Sequence, residues 1–265
     1  MRSWTMMALT LWLGIAGSVQ AAVQSKTITY RDGNVECRGF LAWNDAITGP
    51  RPGVLLVHEW WGLNDYAQER ARQLAAEGYL AFACDMYGEG KQAKHPEEAG
   101  TMAAQVRENV DGWVQRGKAG LAVLTSQPDC DKERLAAIGY CFGGSTALQL
   151  AFHGADLDAV VSFHGALPVP TAEQAQGVAS RHTTLLICHG SRDGFIPEET
   201  CQKVRTALDQ AGADFEMAYY GNARHSFTVK SADSHGIEGL RYNAAADDRS
   251  WKRMLALFRE KFSAK

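Results

Sequence analysis

The sequence predicts an α/β protein: one domain with a mostly parallel central sheet, helices on both faces and an antiparallel hairpin at its N-terminal edge. Three observations carry this. From residue 52 onward, short β-rich runs alternate with longer helical patterns, the signature of strand–helix–strand crossovers. Residues 52–58 (PGVLLVH) form a continuous apolar run bounded by Gly and Pro, as a strand covered on both faces does. No internal repeat, low-complexity stretch or Ser/Gly/Pro-rich linker divides the chain.

The elements follow in order. Residues 26–30 and 35–43 flank Asp32-Gly33-Asn34, a turn signal that joins two strands as a hairpin. After the strand 52–58, residues 64–76 have helical character, with Leu74 and Ala75 apolar and Gly78 as the stop. A strand at 79–84, a helix within 97–124 and a strand at 135–138 come next. A helix beginning near Gly143 leads to strands at 159–163 and 184–189. A helix at 197–211, a strand at 215–220 and a final helix at 242–262 complete the pattern. Ligands of such sheets bind beyond the carboxyl ends of the strands, so chemically active residues are expected just after a strand.

Residues 1–21 stand apart from this pattern. Arg2 gives a positive start, residues 6–17 are mostly apolar, and Val19-Gln20-Ala21 precedes Ala22 as a small-x-small cleavage site. Together these predict a secretory signal peptide cleaved after Ala21, with residues 22–265 as the single domain and a periplasmic or secreted location. The apolar run is about a dozen residues, short of the roughly 20 that span a bilayer, so no stable membrane association is expected after cleavage. The formal net charge of −3 and the absence of a Lys/Arg cluster make nucleic acid an unsuitable partner. Six cysteines contain no C-x-x-C pair and eight histidines form no H-x-x-x-H pattern, so neither zinc nor another metal is proposed. Cys84 and Cys188 sit in apolar runs and read as small buried hydrophobes, while two of Cys37, Cys130 and Cys201 could pair in an oxidising compartment.

The chemistry concentrates in Gly139-Tyr140-Cys141-Phe142-Gly143, which follows the 135–138 strand directly and opens a helix. This is the G-x-S-x-G nucleophile elbow with cysteine in the serine position. A sharp strand-to-helix turn leaves little room on either side of the nucleophile, and glycines two residues before and after remove the clash. The helix then starts beneath Cys141, where its N-terminal dipole favours a thiolate and a developing oxyanion. Cys141 could instead be a buried structural cysteine beside a glycine-rich turn, but strand, turn and helix in sequence favour catalysis.

An elbow nucleophile is followed in chain order by an acid and a histidine. Asp193 lies in the loop after the 184–189 strand, and His225 lies after the 215–220 strand, the last in the chain. His225 would take the thiol proton and Asp193 would hold the imidazole in the required tautomer. His164 and His189 also end strands and read as supporting groups. The backbone N–H of Trp60 or a neighbour, after the 52–58 strand, and that of Phe142 are placed to form an oxyanion hole. Glu59 would lie near Cys141 and suppress its ionisation by like-charge repulsion. Trp60, Trp61, Tyr87 and Phe195 are expected to line an apolar, aromatic substrate pocket.

These residues resemble the dienelactone hydrolase family of α/β-hydrolases. The motifs that carry the resemblance are His58-Glu59-Trp60-Trp61-Gly62, Cys84-Asp85-Met86-Tyr87-Gly88, Gly139-Tyr140-Cys141-Phe142-Gly143-Gly144, His189-Gly190-Ser191-Arg192-Asp193 and His225-Ser226-Phe227. The resemblance implies the α/β-hydrolase fold, a Cys141, His225, Asp193 triad, and a Glu59 that contacts the resting thiol and swings away when substrate binds. It also implies an arginine shortly after the histidine to hold a substrate carboxylate, where this chain offers Lys230. The expected function is hydrolysis of a small ester or lactone through a thioester on Cys141, by a monomer that needs no metal or organic cofactor. The alternative is a non-catalytic protein of the same fold that holds a small apolar ligand.

Overall fold

The structure is a computed structural model, and it describes residues 23–263. The proposed signal peptide, residues 1–21, lies outside the described residues. Eight strands form one sheet: β1 (Val23–Asp32), β2 (Val35–Asn44), β3 (Arg51–Val57), β4 (Leu80–Cys84), β5 (Cys130–Tyr140), β6 (Ala159–Phe163), β7 (Thr184–Gly190) and β8 (Phe215–Tyr220). Their spatial order is β1-β2-β4-β3-β5-β6-β7-β8. The hairpin β1–β2 pairs antiparallel and docks antiparallel on β4, and every later pairing is parallel. The hairpin loop is Gly33-Asn34, with Gly33 at φ 55, a conformation glycine adopts without a Cβ penalty.

The apolar strands are buried on both faces because their alternate side chains feed two separate cores. On one face Leu55, Val57, Phe82, Ala137 and Ile187 pack with α3 (Val110–Thr125), α4 (Phe142–Phe152), α5 (Ala172–Ser180) and α6 (Glu198–Ala211). On the other, Val54, Leu56, Ala81, Ile138 and Leu186 pack with α1 (Asp65–Ala76) and α7 (Ala244–Ser263). The period-2 alternation thus sends consecutive residues of β3 to opposite cores.

Two sequence expectations change. The single helix expected within 97–124 is two, α2 (Pro96–Glu108) and α3, separated at Asn109 (φ −116, ψ 89), whose side chain accepts from the Gly112 N–H at 3.0 Å. An asparagine satisfied by capping a new helix competes with continuation of the old one. Helix α5 was not expected; its signal is the capping box Thr171-x-x-Gln174, in which both reciprocal bonds form. Among the described residues, no helix is long and apolar enough to cross a membrane.

Candidate active site

Cys141 joins β5 to α4 at φ 52, ψ −113, a left-handed conformation that a non-glycine residue adopts only when its surroundings impose it. The surroundings are identifiable. Cys141 N–H donates to the Phe163 carbonyl on β6 at 3.0 Å, and its own carbonyl accepts from Gly144 at 3.0 Å. A Cβ on Gly139 would lie 1.9 Å from the Gly143 carbonyl oxygen, and one on Gly143 would lie 2.1 Å from the Val57 oxygen. The glycines therefore let the two arms of the elbow close on each other and on the end of β3. Phe142 is the first residue of α4, so its N–H has no intrahelical acceptor and remains available beside Cys141.

His225 and Asp193 meet as the order of the motifs requires. His225 Nδ1 is 2.8 Å from Asp193 Oδ2, both residues are buried, and Asp193 Oδ1 accepts from the Phe195 N–H at 3.0 Å. With Nδ1 committed to the carboxylate, Nε2 is the nitrogen left for Cys141. Burial opposes a charge on His225, but the neighbouring Cys141 and the Asp193 hydrogen bond outweigh it and push its pKa up to about 10.

Glu59 follows β3 and is only 3% exposed. Its Oε1 accepts from Ser226 Oγ at 2.9 Å, and the same oxygen lies 4.0 Å from His164 Nδ1. The resemblance places this carboxyl on the resting thiol; here its hydrogen bond goes to Ser226 instead. Burial raises its pKa to about 6, against the pull of His225, the Ser226 hydroxyl and Arg70. The loop bearing it is fixed by His58, which is fully buried: Nε2 accepts from the Met86 N–H at 3.1 Å, so Nδ1 carries the proton given to the Glu59 carbonyl at 2.5 Å. Asp85 in the neighbouring motif is structural, its carboxylate accepting from the N–H groups of Arg38, Tyr87, Gly88 and Gly90.

A cavity of about 270 Å³ opens over Cys141 and His225, walled by Trp60, Phe195, Ile196, Ile237 and Leu240 together with Arg107. Of the residues expected to line it, Trp60 and Phe195 do, and Phe195 is 52% exposed. Trp61 and Tyr87 do not. Trp61 is buried, packed against Trp60 and stacked on His235 at 4.4 Å, and Tyr87 donates its hydroxyl to the Trp60 carbonyl at 2.8 Å. Both shape the wall by holding Trp60. Lys230 lies in a different cavity with Tyr66, Arg70 and Trp251. The cation at the site is Arg107, in the last turn of α2 over the Phe142 ring at 5.4 Å. Sequence reasoning missed it, since nothing in an amphipathic helix marks which surface arginine will face a cavity. All six cysteines are free, so the pairing considered among Cys37, Cys130 and Cys201 does not form.

Comparison with known proteins agrees with this geometry. The dienelactone hydrolase family model matches residues 37–262. A protein of Escherichia coli (strain K12) named "Putative carboxymethylenebutenolidase" is 30% identical over 218 residues, covering 80% of this chain and 78% of that one. The Protein usf of Aquifex pyrophilus is 27% identical over 241 residues, covering 88% and 97% of the two chains. The crystal structure of a dienelactone hydrolase-like promiscuous phosphotriesterase from metagenomic libraries superposes with a TM-score of 0.87 at 41% identity, over 91% of this chain and 99% of that one. Elbow, cavity and match over nearly the whole described chain lead to one conclusion: this hydrolase belongs to the dienelactone hydrolase family.

Proposed function

We propose that the protein hydrolyses small esters or lactones by nucleophilic attack of Cys141. The observation that carries this reading is the Cys141 elbow, strained at φ 52, sharing one cavity with a His225 whose Nδ1 is bound by Asp193 at 2.8 Å. His225 Nε2, whose raised pKa favours the imidazolium, holds the proton given up by the thiol, so Sγ attacks as the thiolate of that pair and bonds to the acyl carbon. The oxyanion is held by the N–H groups of Phe142 and Trp60 and faces the N-terminus of α4. Collapse expels the alkoxide, which receives the proton from His225 and leaves a thioester. Water, deprotonated by His225, then releases the acid and restores the thiol. Asp193 keeps the imidazole in the productive tautomer throughout. Glu59 tunes the charge on the Cys141–His225 pair from its buried position.

The apolar walls and the Arg107 guanidinium that lines the cavity support a substrate with a compact apolar body and a carboxylate. Arg107 is the group that would receive that carboxylate. Export is part of the same reading, supported by the sequence of residues 1–21. The test is hydrolysis of a panel of p-nitrophenyl esters and lactones, neutral and carboxylate-bearing, by the wild type and Cys141→Ala. Turnover abolished in the variant is the expected result. Undiminished turnover by Cys141→Ala contradicts the reading.

A further inference from the structure

Behind Glu59 runs a buried chain of hydrogen bonds that the triad does not use. Arg70 Nε, on α1, donates to the Tyr66 hydroxyl at 3.3 Å; Tyr66 lies 2.6 Å from Thr228 Oγ1, which lies 2.7 Å from His164 Nε2. A guanidinium only donates. The Tyr66 oxygen accepts from Arg70, and among the described residues the one acceptor in reach of its proton is Thr228 Oγ1, so Tyr66 donates to Thr228, whose own proton then goes to His164 Nε2. With Nε2 an acceptor, the ring proton sits on Nδ1.

That nitrogen is fully buried, lacks any hydrogen-bond partner and stands 4.0 Å from Glu59 Oε1. A buried donor without an acceptor is costly, and here it faces a carboxylate that already holds Ser226. His164 is itself held at φ 40, in the left-handed region, by its N–H bond to the Cys188 carbonyl at 2.8 Å. Its ring lies edge-on to His225 at 5.3 Å and to Phe227 at 5.0 Å. Burial, reinforced by the positive charge of His225 and Arg70, holds His164 well below the usual imidazole range, which keeps the chain's direction unchanged across neutral pH.

We propose that the Arg70–Tyr66–Thr228 chain locks His164 as an Nδ1–H donor and that this hydrogen is the second station of the Glu59 carboxylate, making His164 its positioning residue. The move is a rotation of the Glu59 side chain that shortens the 4.0 Å gap to hydrogen-bond distance. No proton changes owner. The inference rests on the reading of Glu59 as the group that tunes the Cys141–His225 pair. Around this carboxylate the charged or titratable groups are His225, with Asp193 and Cys141 behind it, Arg70 with its partner Asp247, Tyr66, and His164, which in turn faces Tyr140 and His189.

The test needs no substrate, so failure to find a hydrolysed ester leaves it intact. Alkylation of Cys141 by iodoacetamide is followed against pH, and the inflection that Glu59→Gln abolishes is assigned to Glu59. In Thr228→Val, which removes the hydroxyl and keeps the shape, this inflection moves to higher pH by roughly half a unit or more, because the carboxylate loses a fixed donor. Thr228→Ser, which keeps the hydroxyl, overlays the wild type. His164→Leu shifts it as Thr228→Val does, and His164→Asn, which tolerates the left-handed backbone and keeps a donor near the Nδ1 position, restores it. In parallel, ¹⁵N NMR of histidine-labelled protein, with His164 assigned from the Asn variant, reads the Nδ1–H tautomer in wild type and its loss in Thr228→Val. A Glu59 inflection that is absent or unmoved by Thr228→Val, an equal shift in Thr228→Ser, or an Nε2–H tautomer in the wild type overturns the proposal.

Discussion

Replacing Glu59 by Gln stabilises the protein at neutral pH relative to acid, by an amount that the burial of the carboxyl sets. The side chain is 3% exposed and its pKa stands at about 6 instead of 4.5. At 1.36 kcal/mol per pH unit, that displacement corresponds to about 2 kcal/mol. The direction follows from the raised value. Between pH 4.5 and 6 the native state retains a proton that the unfolded chain releases, so wild-type stability falls as pH climbs through this window. Below pH 4.5 both states are protonated and the contribution vanishes. The glutamine amide brings its own hydrogen-bonding offset, but that offset does not titrate, so it cancels when the difference between the two proteins is followed with pH. Urea unfolding of wild type and Glu59→Gln at closely spaced pH values from 4 to 7.5 measures it. The variant gains about 2 kcal/mol relative to wild type between pH 4.5 and 7. A difference that stays flat over that range refutes the claim that burial dominates the Glu59 environment.

Gly143→Ala places a Cβ 2.1 Å from the Val57 carbonyl, about 0.9 Å inside the 3.0 Å that real Cβ atoms respect, so the elbow must shift by that distance and kcat drops roughly 100-fold. Gly194→Ala, in the Asp193 loop with nothing within 4 Å, leaves kcat and Tm unchanged, and the pair is compared by ester hydrolysis and thermal unfolding. Asp193→Asn removes the acceptor that fixes the His225 tautomer and lowers kcat by about 10⁴-fold, the cost of the same change in a serine triad, as steady-state kinetics will read. Arg107→Gln lowers kcat/KM for a carboxylate-bearing ester roughly tenfold or more and leaves a neutral ester of the same size unaffected; equal losses on both would show that Arg107 acts through packing on Phe142.

Much of this site is legible in the sequence because the fold ties chemistry to strand ends. Glu59, Cys141, Asp193 and His225 follow β3, β5, β7 and β8 in turn, and each could be located by finding the apolar run before it. The glycines around Cys141 have the steric role that their spacing suggested, with the clash falling between Gly139 and Gly143 and between Gly143 and β3. What the sequence concealed depends on packing between distant segments. Trp61 and Tyr87 sit at strand ends like the pocket residues, yet they face Trp60 and its carbonyl, a distinction of side-chain direction that periodicity does not encode. Ile237 and Leu240 reach the cavity from an irregular segment held by the Leu240–His225 bridge and the Arg241 N–H bond to the His225 carbonyl at 3.0 Å, and such segments carry no period to read. The hydrogen-bond chain through His164 joins residues on α1, after β6 and after β8, and only the folded arrangement makes it a chain.

The central claim, that Cys141 and His225 act as one nucleophilic unit, is tested most directly by kcat/KM for p-nitrophenyl acetate in Cys141→Ala, His225→Ala and the double variant. Residues that work as a unit are strongly non-additive. The account predicts that each single change costs on the order of 10³-fold or more and that the double variant loses little beyond either one. Losses that multiply in the double variant, or a Cys141→Ala protein within tenfold of wild type, would contradict it.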